Sequence, residues 1–183
     1  MLRLTHLADY TIIDQNNHEN NQLGNCSLPI WLLYSGSMGL YNHAMYMVAT
    51  KALIRKEDKY LVLITPDGYI DFPGGRVDES ERDIPWVEAL QREVHEEAGP
   101  ELQITIGRTM FVSKRQYHKQ DRTNYIAAIF FACEYISGDI TLSDEHGDHV
   151  WMTLDELLNT DRTFVSDDER QQLTAYFAQQ KVS

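Results

Sequence analysis

Cysteine is scarce in this chain of 183 residues: only Cys26 and Cys133 occur. They lie far apart and form no C-x-x-C pair, so neither a disulfide framework nor a zinc site is expected; two reduced thiols in a reducing compartment are. Long apolar runs are missing as well. A membrane helix needs about 18 consecutive apolar residues, and the longest run here, Ile126 to Cys133, falls well short. The opening residues, MLRLTHLADYTIID, lack a charged n-region followed by an apolar h-region, the mark of a secretory signal. These deficits point to a cytoplasmic enzyme or binding protein with no membrane partner. Positive charge is the last shortage. Lys plus Arg number 16 against 28 Asp plus Glu, a formal net charge of −12. That balance excludes broad binding to nucleic-acid polymers, which needs basic side chains on phosphates, and docking on an anionic membrane surface. A small phosphate-bearing ligand stays compatible, provided a cation stands between it and the protein.

With 43% apolar and 24% charged residues, the chain has the composition of a globular domain. Its length suits one domain, with room for an appended arm. Surface scaling buries roughly 70% of the extended chain's area at this size, enough for a core without disulfides.

Residues Asp14 to Asn25 read DQNNHENNQLGN, a polar stretch expected to form a loop. It separates Tyr10 to Ile13 from Pro29-Ile-Trp-Leu-Leu-Tyr34, two short apolar pieces that read as strands or an arm. Residues 1–45 are therefore taken as an N-terminal extension, a candidate oligomer contact, and residues 46–183 as the main domain. From Tyr46 the pattern sharpens. Tyr46 to Ile54 and Tyr60 to Ile64 are strand-like runs joined by Arg55-Lys-Glu-Asp-Lys59, a hairpin signal. A turn at Asp67-Gly68 and a glycine loop, Asp71-Phe-Pro-Gly-Gly75, follow. A helix is expected over Pro85 to Ala98, with Asp83 as cap, Pro85 in the first turn and Gly99-Pro100 as the stop. Strands are expected at Leu102 to Ser113 and Thr123 to Tyr135, the second apolar on both faces and so central. Helices fit Leu154 to Leu158 and Asp168 to Gln180. The order of elements predicts an α/β protein of the α+β type, a mixed β-sheet sandwiched between helices.

The helix carries more carboxylates than its surface needs. At 100° per residue Val87, Leu90, Val94 and Ala98 form the core stripe. Glu93, Glu96 and Glu97 crowd into an arc of about 100° beside it, at spacings i, i+3 and i+4. Arg92 can reach Glu96 and Glu88, each four residues away, yet one guanidinium cannot neutralise the set. A solvated acidic helix face explains this spacing as well as a site for a hard divalent cation, which prefers oxygen ligands and bridges carboxylates to phosphates. Upstream, Pro73-Gly74-Gly75 permits close backbone approach to a metal or phosphate, and Glu81 follows Gly75 at the sixth position.

Together, Gly75-x5-Glu81 and Arg92-Glu93-Val94-x-Glu96-Glu97-x-Gly99 resemble the Nudix box of the Nudix hydrolases, G-x5-E-x7-R-E-U-x-E-E-x-G-U with U a bulky apolar residue. Phe72-Pro73-Gly74, the hairpin before it, and Asp144-Glu145-His146 with Val150-Trp151 and Leu154-Asp155-Glu156-Leu157 are also similar to the family. The likeness runs from Tyr46 to Leu158. Two positions depart from it. Ten residues separate Glu81 from Arg92 where the family has seven, which puts three extra residues near Arg82 to Trp86 and leaves open where the glycines sit relative to the glutamates. Pro100 replaces the last apolar residue.

The resemblance implies the Nudix fold and Mg²⁺- or Mn²⁺-dependent cleavage of a phosphoanhydride bond in a nucleoside diphosphate linked to another group. Position by position, it makes Glu93, Glu96 and Glu97 metal ligands, with the Gly74 carbonyl as a further one, and Arg92 an orienting ion-pair partner. The general base is a box glutamate or one from a later loop, where Glu145 is the candidate. Arg76, just after the glycines, is the preferred candidate for a substrate-facing cation because it adjoins the proposed site. In the basic run Lys114 to Arg122, Arg115, His118, Lys119 or Arg122 is a candidate phosphate contact and Tyr117 a candidate base-stacking ring, although a solvated hairpin tip is the preferred reading for any single one of them. The histidines show no metal-ligand spacing with cysteines, and most are expected at the surface. A non-catalytic nucleotide-binding protein of the same fold is the alternative, disfavoured because all box carboxylates are present. Isoprenoid diphosphate isomerisation, the third reading, would need a cysteine near the box.

Overall fold

The structure, a computed structural model, describes residues 43–119 and 122–180, without the side chains of Tyr117, Lys119 and Arg122. The expectations for the N-terminal arm, for Ile30 to Leu33 and for Cys26 fall outside the described residues.

Strands β1 (Met47–Lys56) and β2 (Lys59–Ile64) form the expected hairpin, with Arg55 opposite Tyr60 and Lys56 opposite Lys59. Only Glu57 and Asp58 remain for the turn, and Glu57 takes the positive φ of 56° that so short a connection demands. A two-residue β3 (Ile70–Asp71) follows, then a 3₁₀ turn (Glu79–Glu81) and helix α1 (Trp86–Ala98). Strands β4 (Gln103–Lys119) and β5 (Arg122–Ser137) make a hairpin longer than the sequence pattern marks. Beyond Ser113 the residues turn polar, and continued pairing with β5 carries the strand on. Strand β6 (Asp148–Thr153), helix α2 (Leu154–Asn159) and helix α3 (Asp167–Gln180) complete the described fold.

The sheet runs β3-β2-β1-β5-β4, with β6 pairing β2 off this path. It is mixed because β1 and β5 are parallel, in register from Met47 opposite Ile126 to Arg55 opposite Glu134. β5 thus lies between β1 and β4, and its apolar run is buried on both faces as expected. Alternation along β1 feeds two cores. Ala52 and Ile54 pack with Leu90, Val94 and Ala98 of α1. Ala49 and Leu53 pack on the other face with Leu157 of α2, Leu173 of α3 and Phe130. Helices therefore cover both faces of the sheet. Among the described residues no helix is long and apolar enough to cross a membrane.

Two expectations about α1 need correction. The residue at its N-cap is Pro85 rather than Asp83, with no side-chain cap bond; proline fixes the entry dihedral itself. Val87 is exposed rather than in the core stripe, and Ala89 is buried instead. The first turn of α1 extends past the buried face, so Trp86 and Val87 are exposed, as is Ile84 just before the helix. Strand β6 carries no clear period-two pattern in its sequence and takes its place by pairing with β2 from Lys59–Thr153 to Ile64–Asp148.

Candidate active site

The glycine loop and the helix meet through β1. Thr50 N–H donates to the Gly75 carbonyl at 2.9 Å and Ala52 N–H to the Pro73 carbonyl at 2.7 Å, zipping the loop along the strand. Between them Gly74 has φ +123°, and a Cβ there would lie 2.2 Å from the Thr50 carbonyl oxygen and 3.0 Å from a Leu90 methyl. Only glycine fits that approach. The freed Gly74 N–H donates to Glu97 Oε2 at 2.8 Å. A Cβ on Gly75 would fall within 2.6 Å of the Glu93 carboxylate oxygens. Two glycines thus face two glutamates of α1.

Arg92 organises the rest. Its Nε and Nη2 donate to Glu81 at 2.6 and 2.9 Å, Nη2 also to Glu93 at 2.9 Å, and Nη1 to Glu96 at 2.7 Å. The expected Glu88 pairing is replaced by Glu81, because the 3₁₀ turn turns that side chain back toward α1. Asp78 caps the turn, its N–H donating to Glu81 Oε2 at 2.9 Å. The extra residues are absorbed between Glu81 and Trp86, so Glu81 keeps its partner and the glycines keep theirs. Hydrogen bonds from Arg92 and the Asp78 N–H hold the Glu81 carboxyl down to about 2, and Glu81 in turn raises the Arg92 guanidinium above its usual value. Burial acts the other way on the box. Glu97 is pushed up to about 7, although Lys51 and the Gly74 N–H pull it down. Glu93 is raised by burial against the pull of Arg92.

Behind the glycine loop lies a charge cluster that the sequence reading did not find. Lys51, 3% exposed, donates to the Phe72 carbonyl at 2.8 Å and pairs with Asp71 at 3.1 Å. Arg115 pairs with Asp71 at 2.7 Å and with Glu169 of α3, which is fully buried. Burial would raise the Asp71 carboxyl, but Lys51 and Arg115 outweigh it and hold it well below the usual carboxylate range. Glu169 is raised by burial, with Arg115 opposing. Lys51 had a legible signal, a lysine amid the apolar residues of β1, since buried lysines are rare and need partners. Glu169, inside the acidic run Asp167 to Glu169, had none.

A cleft of about 560 Å³ gathers these parts. Glu93, Glu96, Glu97 and Arg92 line it from α1, Gly74 and Arg76 from the glycine loop, Lys51 and Arg115 from β1 and β4, and Glu145 from the loop before β6. That loop is anchored to the helix by the Ser143 N–H donating to the Glu97 carbonyl at 3.1 Å. Arg115, expected as a phosphate contact, lines the cleft with its guanidinium engaged by Asp71 and Glu169. Tyr117 pairs through its backbone with Asn124 in the β4–β5 hairpin, and its side chain is outside the described set. His146 is buried rather than at the surface, and its Nδ1 has no hydrogen-bond partner. Among the described residues no three His, Cys, Asp or Glu side chains converge as a metal site: Arg92 ties Glu93 and Glu96, while Glu97 turns to Gly74.

A sequence model of the NUDIX domain matches residues 45–173. The chain belongs to the NUDIX family. No curated protein matches it by sequence. Solved structures share the NUDIX fold. The MutT protein of Methanosarcina mazei is 26% identical with a TM-score of 0.62, covering 74% of this chain and 96% of its own. An ADP-ribose pyrophosphatase of Streptococcus suis (21%, TM-score 0.55, 75% and 93% covered) and a C. elegans Ap4A hydrolase (20%, TM-score 0.55, 75% and 99% covered) have the same fold. This NUDIX protein is a hydrolase.

Proposed function

We propose that this hydrolase cleaves a phosphoanhydride bond in a small nucleoside diphosphate linked to a further group, with Mg²⁺ or Mn²⁺ held by Glu93, Glu96, Glu97 and the Gly74 carbonyl. The observation that carries the reading is the bond from Gly74 N–H to Glu97 at 2.8 Å, with Gly75 against Glu93, at the floor of one cleft. The residues fit such an ion. The donors are all oxygens, as hard divalent cations prefer. The carbonyls on either side of Gly74 are taken up by β1. Glu97 and Glu93 are both raised by burial, so their charged forms gain from a cation more than exposed carboxylates would. When bound, the ion supplies charge neutralisation for the diphosphate and an acidified water.

The protein's own groups do the rest. Arg92 holds Glu93 and Glu96 in place on one side and Glu81 on the other. Glu145, exposed on a loop tied to α1, is the general base that takes a proton from the attacking water. Arg76 at the cleft wall meets substrate phosphate, and Arg115 stiffens the opposite wall. The assignment covers residues 46–183, with residues 1–45 as an appended arm and a candidate homodimer contact, in a cytoplasmic protein.

The test is a panel of nucleotide sugars, ADP-ribose, dinucleoside polyphosphates and nucleoside triphosphates, incubated with Mg²⁺ or with EDTA. A mononucleotide released from at least one member only in Mg²⁺ supports the reading, and no release from any member contradicts it.

A further inference from the structure

Three consecutive residues of β1 hold the glycine loop, and the middle one does so with its side chain. Thr50 and Ala52 donate their backbone N–H groups to the Gly75 and Pro73 carbonyls. Lys51 donates its ammonium to the Phe72 carbonyl at 2.8 Å. The amide of the same residue is held too: Phe72 N–H donates to Asp71 Oδ1 at 2.7 Å. Asp71 is fixed in turn by Lys51 at 3.1 Å and by Arg115 at 2.7 Å, and Arg115 by Glu169 of α3. Phe72 is therefore clamped at both backbone groups, immediately before Pro73-Gly74. Its ring is buried as well, edge-on to Phe130 at 5.5 Å.

Stability alone does not account for a lysine here. Lys51 lies between Ala49 and Leu53 on the face of β1 that packs with Leu157 of α2 and Leu173 of α3. An apolar side chain would suit that face without burying a charge. Buried ion pairs lose their hydration, and replacing them with apolar residues is often neutral or stabilising. Asp71 would still have Arg115 as its partner. What an apolar residue cannot do is donate to the Phe72 carbonyl. Lys51 also lines the cleft together with Gly74, Glu93 and Glu97.

We infer that Lys51 is a positioning residue for the metal site, which rests on the ligand roles proposed for Gly74 and Glu97. It fixes the segment from Phe72 to Gly74, and through the 2.8 Å bond from Gly74 N–H it fixes the Glu97 carboxylate on α1. An ammonium has only donors, so Lys51 is not itself a ligand. Two effects of this side chain on a bound cation have opposite signs. As a charge it repels the ion, and as a clamp it prepares the ligands. The clamp dominates because the charge is already met by Asp71.

Mn²⁺ binding to the full chain without substrate, read from the EPR signal of the free ion, tests the assignment. Lys51→Met, similar in length but with neither donor nor charge, is expected to bind Mn²⁺ about 10- to 100-fold more weakly than the wild type, the loss usual for groups that orient metal ligands. Lys51→Gln keeps a donor and loses the charge, so it should show part of that loss, and it carries the test if Lys51→Met does not fold. Phe177→Ala separates positioning from stability. Phe177 packs on Tyr60 at the far end of α3, with ring centroids 5.7 Å apart, so this variant should melt lower yet bind Mn²⁺ as the wild type does. Unchanged or tighter binding in either Lys51 variant overturns the inference, and so does an equal loss in Phe177→Ala. Absence of Mn²⁺ binding in the wild type sinks the metal reading and the inference together, whereas wild-type binding matched by the Lys51 variants sinks the inference alone.

Discussion

Arg92 bridges back to Glu81, with Nε 2.6 Å from Oε1 and Nη2 2.9 Å from Oε2, and this fork joins the 3₁₀ turn to α1 across the segment that carries the extra residues. The contact is partly shielded, with Arg92 31% and Glu81 11% exposed at the side chain. Charge-assisted hydrogen bonds of this kind contribute about 2 kcal/mol. Glu81→Ala is expected to lower stability by about that amount in urea denaturation, and to reduce turnover because Arg92 is left to pull on Glu93 and Glu96 alone.

The same pair gives a pH signature. Glu81 is held down to about 2 in the fold from an ordinary value of 4.5. A depressed carboxylate contributes its stability in full above the unfolded value and loses it as pH falls toward the folded one. The contribution should therefore decline from about pH 4.5 to pH 2. Denaturant midpoints of the wild type and Glu81→Gln, followed from pH 7 to pH 3, should converge as the solution is acidified. A gap that stays constant would contradict the assignment.

Gly74 has no tolerable replacement. In Gly74→Ala the new Cβ would sit 2.2 Å from a backbone oxygen at φ +123°, and overpacking with a left-handed backbone costs roughly 2–5 kcal/mol. Gly68 is the control. It also has positive φ, +85°, but nothing lies within 4 Å of its Cβ position, so Gly68→Ala should cost only about 1–2 kcal/mol. Thermal unfolding of the two variants should rank them in that order, with activity lost in the first alone.

The buried cluster behind the loop behaves as a unit. Arg115→Met leaves Asp71 and Glu169 with Lys51 but without the guanidinium that pairs with both, an uncompensated buried charge worth about 3–5 kcal/mol. Without Arg115 the folded-state pKa of both carboxyls rises, and an acid with a raised folded pKa regains stability as pH falls through it. The deficit relative to wild type should thus shrink as the pH is lowered from 7, and a deficit that grows on acidification would contradict the cluster.

What the sequence revealed was local. Glu93, Glu96 and Glu97 share a helix face because spacing alone dictates it, and the Gly75-to-Glu81 interval marked Glu81 despite ten intervening residues before Arg92, but the partner expected for Arg92 besides Glu96 was Glu88, and only the fold shows that it is Glu81. The β1–β2 hairpin and the central β5 were legible from their apolar runs. Contacts set by tertiary approach were not. Nothing near Glu169 signals that α3 delivers it to Arg115, more than fifty residues away along the chain. Val87 matches the helical period of the core, yet it lies beyond the part of α1 that reaches the sheet. Strand β6 is half-buried from His149 to Thr153 and depends on pairing with β2, a long-range fact that its six residues do not encode.

The central claim is that buried Glu97, held by Gly74, serves metal-dependent phosphoanhydride cleavage. Glu97→Gln tests it most directly, since the amide oxygen can still accept from Gly74 N–H while the negative charge is gone. With the panel member that the wild type hydrolyses fastest, in Mg²⁺, the variant should lose at least about 100-fold in turnover, the loss of metal charge at the reacting centre, while its thermal unfolding midpoint stays at or above that of the wild type. Turnover at the wild-type level with the same Mg²⁺ dependence would contradict the account.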